Sequence, residues 1–175
     1  MKSIVFAGGC FWGVEHYFKM VPGVKKTSVG YINGKYKFPT YDMVCTGLTG
    51  HVECCKIEYD KEETNILLLL EHFFFIIDPT SLNQQGPDKG THYRSGVYCY
   101  DEKDLKLTKE YINIMRNYYP DPIVVEADFA QEFWDAEKYH QNYLEVNPLG
   151  YCHIMPYKFN LVEKVDQNAR KQFSS

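Results

Sequence analysis

The sequence predicts an α+β fold with a mixed sheet. Three observations carry this: the order of apolar segments in the first 100 residues, their lengths, and the places where glycine and proline interrupt them. Residues 3–8 read as a short buried strand running into Gly8-Gly9. Apolar spacing at Phe11, Val14, Tyr17 and Phe18 predicts a helix, stopped by Pro22-Gly23. Residues 24–31 and 51–59 read as strands, joined by a turn-rich loop with Gly30, Gly34, Pro39 and Gly47. Thr64 is placed to cap a helix over 65–77, closed by Asp78-Pro79. A loop with Gly86, Pro87 and Gly90 then leads to a strand at 95–100. The resulting β-α-β-β-α-β order is the ferredoxin-like split βαβ unit.

Beyond it we expect an amphipathic helix at 102–119, a β-branched strand at 123–127 and a helix near 134–144. An irregular tail follows from 152, with a last helix at 161–172. The length of 175 residues fits one catalytic domain, 1–175, with a C-terminal tail from 146.

Composition narrows the function. Hydrophobic residues at 45% and charged residues at 24% are ordinary for a globular chain. A net charge of −4 leaves no basic footprint for nucleic acid. The apolar stretch Ile66 to Ile77 is broken by Glu71 and His72 and is too short to span a bilayer. The apolar run after Lys2 is too short for a signal peptide, so a cytoplasmic, reducing location is expected. The six cysteines at 10, 45, 54, 55, 99 and 152 then start as thiols, and those that matter are catalytic rather than structural. With 15 Tyr and 11 Phe, the chain has aromatics enough to line an apolar pocket as well as a core.

Cys10 stands between a strand end and a helix start, where glycines allow a sharp turn. A helix N-terminus there would stabilise a thiolate and lower its pKa. Packing of a small buried residue is the competing reading, since free cysteine is among the most buried types. Phe11 and Trp12 adjoin it and could enclose a methyl or thioether group, or simply fill the core.

The stretch Gly-Gly-Cys-Phe-Trp-Gly-Val-Glu, residues 8–15, closely resembles the active-site signature of the peptide-methionine (S)-S-oxide reductases, the A-type methionine sulfoxide reductases. Gly30-Tyr31, Pro39-Thr40-Tyr41, Thr49-Gly50-His51-Val52-Glu53 and Asp78-Pro79-Thr80 are similar to family landmarks, in family order. So are Asn83-Gln84-Gln85-Gly86, Asp88, Gly90, Tyr93-Arg94-Ser95, Ala136-Glu137 and Tyr139-His140-Gln141. The resemblance runs from about residue 4 to residue 153.

It implies Cys10 as the nucleophile, Phe11 and Trp12 as the cage for the substrate methyl, and Glu53 as the acid that protonates the sulfoxide oxygen. It also implies Tyr31, Tyr93 and Asp88 as polar groups around that oxygen, and Cys152 as the resolving cysteine. With no cysteine after Cys152, a one-step Cys10–Cys152 disulfide is implied. The implied substrates are oxidised proteins and free methionine sulfoxide, and the implied reductant is thioredoxin or a similar dithiol. No metal or other cofactor is expected, nor a membrane or nucleic-acid partner, and the expected state is a monomer. Glu53 needs an apolar pocket to stay neutral at pH 7; a solvent-facing strand position is its competing reading.

The chain departs from the family pattern at His92, where glutamine is usual, at Asn33 for glycine, and at Pro87 for asparagine. His92 could alter the pocket's pH response. Three rival readings remain: a Cys-His hydrolase using His16, His51 or His140, a zinc module, and a non-catalytic redox sensor. The zinc module is disfavoured because no Cys-x-x-Cys pair exists and Cys54-Cys55 are adjacent.

Overall fold

The structure is a computed structural model that describes residues 1–174. In chain order it holds β1 (Lys2–Ala7), α1 (Phe11–Phe18), β2 (Val24–Ile32), α2 (Tyr41–Cys45), β3 (Val52–Tyr59) and α3 (Ile66–Ile76). A small hairpin follows, β4 (Gln84–Gln85) and β5 (Asp88–Lys89), then β6 (Gly96–Cys99), α4 (Glu102–Met115), β7 (Glu126–Phe129) and β8 (Trp134–Asp135). The C-terminal part contributes α5 (Tyr143–Val146), α6 (Pro156–Phe159) and α7 (Val162–Phe173).

The main sheet has the order β7-β6-β1-β3-β2-β8. Its centre interleaves two βαβ units, β1-α1-β2 and β3-α3-β6, with neighbouring strands antiparallel. This is the expected split βαβ arrangement. β7 pairs parallel with β6, which makes the sheet mixed.

Strand periodicity sorts β1 onto two cores. Ile4 and Phe6 face α1 and α3, and Phe6 stacks between Phe18 and Phe73 at centroid distances of 4.9 and 4.8 Å. Val5 and Ala7 face the opposite side, with Ile32, Val52, Cys54 and Tyr98 under Phe133. Both faces of β1 are therefore covered, which explains its uninterrupted apolar run. Helix α3 packs on α7 and α4 and sends Phe73 to the sheet, leaving Leu67, Glu71 and Phe75 as a half-buried stripe. Among the described residues no helix is long and apolar enough to cross a membrane.

Several expected elements come out differently. The cap of α3 is Asn65 rather than Thr64: its Oδ1 accepts from the Leu67 and Leu68 amides at 3.0 and 3.1 Å. The loop between β2 and β3 contains the short helix α2, capped by Thr40. Strand β7 begins at Glu126, because Val124 N donates instead to the Pro79 carbonyl at 2.8 Å. The helix expected near 134–144 is replaced by β8, a helical turn and α5. The open edge of β2 imposes this: Trp134 and Asp135 pair with Tyr31 and Gly30, and the Gln141 carboxamide bonds both the amide and the carbonyl of Val29. Those backbone groups need partners, and a continuous helix could not supply them. The tail is irregular only around 147–155, with α6 and α7 beyond.

Candidate active site

Cys10 is the N-cap residue of α1, reached from β1 through Gly8 and Gly9. Gly9 has φ +82°, and a Cβ there would stand 2.8 Å from both Gln85 and His153. Only glycine fits this turn without strain. Cys10 is buried, and its thiol is pushed well above the ordinary cysteine range, first by burial and then by the Glu53 charge. The Trp12 amide pulls the other way and does not prevail. The expected depressed pKa is thus overturned: the helix terminus is present, but desolvation outweighs it, and Cys10 rests as a thiol.

Glu53, in β3 opposite Tyr31 of β2, is 1% exposed. The solvent-facing reading is excluded. Oε1 accepts from the Phe11 amide at 3.4 Å, while the buried Oε2 has no hydrogen-bond partner. Burial raises this carboxyl to about 8, against the Phe11 amide. It therefore carries a proton at neutral pH, and that removes most of the charge that would oppose ionisation of Cys10.

Phe11 is buried against Tyr31 and His140, with centroids at 5.9 and 5.1 Å. Trp12 stacks on Tyr143 at 3.6 Å and 9°, and its indole N–H donates to His140 Nδ1 at 3.0 Å. The two aromatics are fixed on one side of the Cys10 turn. Tyr93, on a helical turn at Thr91–Tyr93, lies beside Glu53, Tyr41 and Cys10, and burial raises its phenol strongly.

Two expected oxygen-site groups are already engaged. The Tyr31 hydroxyl donates to Glu137 Oε1 at 2.8 Å, and the Tyr41 amide to Glu137 Oε2 at 2.9 Å. Burial opposes the Glu137 charge, yet these bonds hold it below the usual carboxyl range. Asp88 accepts from the Tyr151 hydroxyl at 2.6 Å and faces His153 at 3.6 Å. Cys152 packs on the first turns of α1: a Cβ at Gly13 would lie 2.9 Å from its Sγ.

Sequence reasoning passed over Glu137 as a partner, Tyr41, Tyr143, Tyr151 and His153. Glu137 and Tyr41 fall within landmark blocks, which was their one signal; Tyr151 and His153 only flank Cys152. His51 is occupied on both nitrogens, by Gly34 N and Tyr36 O, and His140 Nδ1 by Trp12. Cys54 and Cys55 are packing residues on opposite faces of β3. His92 is buried against Tyr93, its imidazole lowered by burial, so it stays neutral at pH 7. Among the described residues Cys45, Glu53 and His92 bring ligand atoms within 4.8 Å of one another, a set that suits a thiophilic ion but would use up Glu53.

A buried thiol beside a proton-loaded carboxyl, under fixed aromatics and with a second thiol near, defines a cysteine-based redox enzyme. The model of the peptide methionine sulfoxide reductase family matches residues 2–173. A curated relative from Clostridium acetobutylicum, named peptide methionine sulfoxide reductase MsrA, is 51% identical over 88% of this chain and 95% of its own. Mxr1 from Saccharomyces cerevisiae, solved in reduced form, superposes with a TM-score of 0.84 at 36% identity, covering 88% of this chain and 91% of that one. The same yeast protein in complex with Trx2 gives 0.60 at 25% identity over 81% and 84%. The chain belongs to the peptide methionine sulfoxide reductase family.

Proposed function

We propose that this protein reduces the S-epimer of methionine sulfoxide, free or in proteins, to methionine, as one catalytic domain in the cytoplasm. The observation that carries the reading is Glu53: a buried, protonated carboxyl with one oxygen left without a partner, next to the Cys10 thiol. A sulfoxide oxygen leaves sulfur only when it takes up a proton, so a neutral acid in a dry pocket is the group required.

Phe11 and Trp12 hold the methyl group of the substrate, and Tyr93 donates to its oxygen. Cys10 sulfur attacks the substrate sulfur as Glu53 passes its proton to the oxygen. The oxygen moves to Cys10 as a sulfenic acid, methionine leaves, and the thiol proton returns to Glu53. The starting thiol and the starting acid are both neutral, so no charge has to be created beforehand in the dry site. Tyr31 serves through Glu137, by bracing α2 and β2 around the pocket.

Cys152 then condenses with the sulfenic acid, giving a Cys10–Cys152 disulfide and water. A dithiol reductant restores both thiols, and thioredoxin is the reductant we assign, by analogy with the yeast relative solved with Trx2. The deciding experiment incubates the protein with racemic methionine sulfoxide and dithiothreitol. We expect the S-epimer to disappear and the R-epimer to persist; equal loss of both would refute the reading.

A further inference from the structure

The residues on either side of Cys152 do something its sulfur does not. Tyr151 and His153 both reach Asp88 of β5, at 2.6 and 3.6 Å. Between these two anchored residues Cys152 packs on α1, where a Cβ at Gly13 would lie 2.9 Å from Cys152 Sγ and 3.4 Å from His153 Cε1. His153 is tied to the nucleophile's turn as well, through Nε2 to the Gly8 carbonyl at 2.8 Å.

This second contact determines where a proton must be. A carbonyl only accepts, so Nε2 carries hydrogen. In a neutral ring Nδ1 is then a lone pair, and it faces the Asp88 Oδ2 lone pairs at 3.6 Å. Both atoms are buried and have no hydrogen-bond partner. Two buried acceptors facing each other repel, and one proton held between them removes the conflict. Burial, with Lys158 adding to it, holds the His153 imidazole below its ordinary value against the pull of Asp88 and the Gly8 carbonyl, so a proton taken up at Nδ1 is readily given away.

We propose that His153, paired with Asp88, is a positioning residue for the recycling step: it seats Cys152 over the first turns of α1 and keeps one proton available where the disulfide closes. The inference rests on the reading of Cys152 as the resolving thiol. Closing the bridge joins the two sulfurs, breaks the S–O bond of the Cys10 sulfenic acid and breaks the Cys152 S–H bond. The departing hydroxyl takes a proton from the Asp88–His153 pair and leaves as water; the Cys152 proton refills the pair. Burial raises the Cys152 thiol, so it will not ionise unaided.

The test separates the two chemical steps in pre-reduced full-length protein mixed with methionine sulfoxide and no reductant. Rapid quenching measures methionine formed, and titration of remaining thiols measures bridge closure. For His153→Ala we expect the methionine burst to stay within about twofold of wild type and bridge closure to slow at least tenfold. His153→Gln keeps a donor for the Gly8 carbonyl but offers no second ring nitrogen, so its closure should fall between the two. Closure in His153→Ala at the wild-type rate overturns the proposal, as does a parallel fall of both steps, which would mean a general structural role. Full closure by His153→Gln overturns the proton-holding part. Peptide mapping of the wild-type disulfide reads the underlying assignment separately: a bridge to any cysteine other than Cys152 overturns that reading and this one with it.

Discussion

The two cysteines of the site are held in opposite ways. Cys10 is positioned by the interior: β1 is buried on both faces, Gly9 makes the turn, and α1 starts on it. Moving it would disrupt the sheet. Cys152 lies in irregular chain, held by polar contacts of Tyr151 and His153 and by packing beside Ile154 on the core. Moving it costs those local contacts and leaves the sheet intact. A nucleophile must keep one geometry with its acid and substrate cage, whereas a resolving thiol must first wait, then approach, then present a disulfide to a partner. The rigid region suits the first duty and the tethered region the second.

The largest effect should come from the rigid half. Cys10→Ser should abolish turnover with every reductant, because a hydroxyl in a dry site is a far weaker nucleophile. Activity above background, with dithiothreitol as reductant, would place the nucleophile elsewhere. Glu53→Gln should lower the single-turnover rate by about 10²–10⁴-fold while substrate still binds, since only the transferable proton is lost. A wild-type rate in rapid quench would reduce Glu53 to a structural residue.

The same carboxyl sets the pH response. The chemical step needs Glu53 protonated, and burial has raised its pKa to about 8. With a chelator present to exclude metal ions, the single-turnover rate should therefore hold steady through neutral pH and fall as pH rises through about 8. Ionised Glu53 also pushes the Cys10 thiol further up, so both changes act in the same direction. A rate that climbs steadily across that window would show that thiol ionisation, not the acid, limits the step.

Cys152→Ser probes the tethered half. One equivalent of methionine should form at close to the normal rate, dithiothreitol should keep some turnover, and thioredoxin-supported turnover should be largely lost. Undiminished turnover with thioredoxin would shift attention to the other thiols. The smallest effect belongs to a residue outside both regions. Asn65→Ala removes the cap of α3 and should cost about 1 kcal/mol of stability in denaturant unfolding, with both chemical rates unchanged. A shift in either rate would mean that the two halves are coupled through α3.

Cys10, Glu53, Phe11 and Trp12 were legible as candidates because short motifs stand at a strand end, a strand and a helix start, where local patterning is strong. The split βαβ core was legible for the same reason: the apolar runs of β1, β2, β3 and α3 have lengths and breaks that admit one order. Patterning failed where a segment's partner is remote. Residues 134–144 have helix-like apolar spacing, but the edge of β2 claims Trp134, Asp135 and the Gln141 side chain. Tyr31 and Asp88 could be named, but not the groups that bind them, since Glu137, Tyr151 and His153 are brought in by the fold alone.

By itself the sequence determined the chemical inventory: a thiol at a strand-to-helix turn, an acid on a central strand, aromatics beside the thiol, a second thiol in a glycine- and proline-flanked tail. The tertiary structure alone decided the protonation states. Whether a thiol or carboxyl keeps its proton depends on how much water and which charges surround it. At Cys10 and Glu53 those surroundings come from segments up to a hundred residues or more away along the chain, so burial, and not the helix terminus next in sequence, leaves both groups neutral at rest.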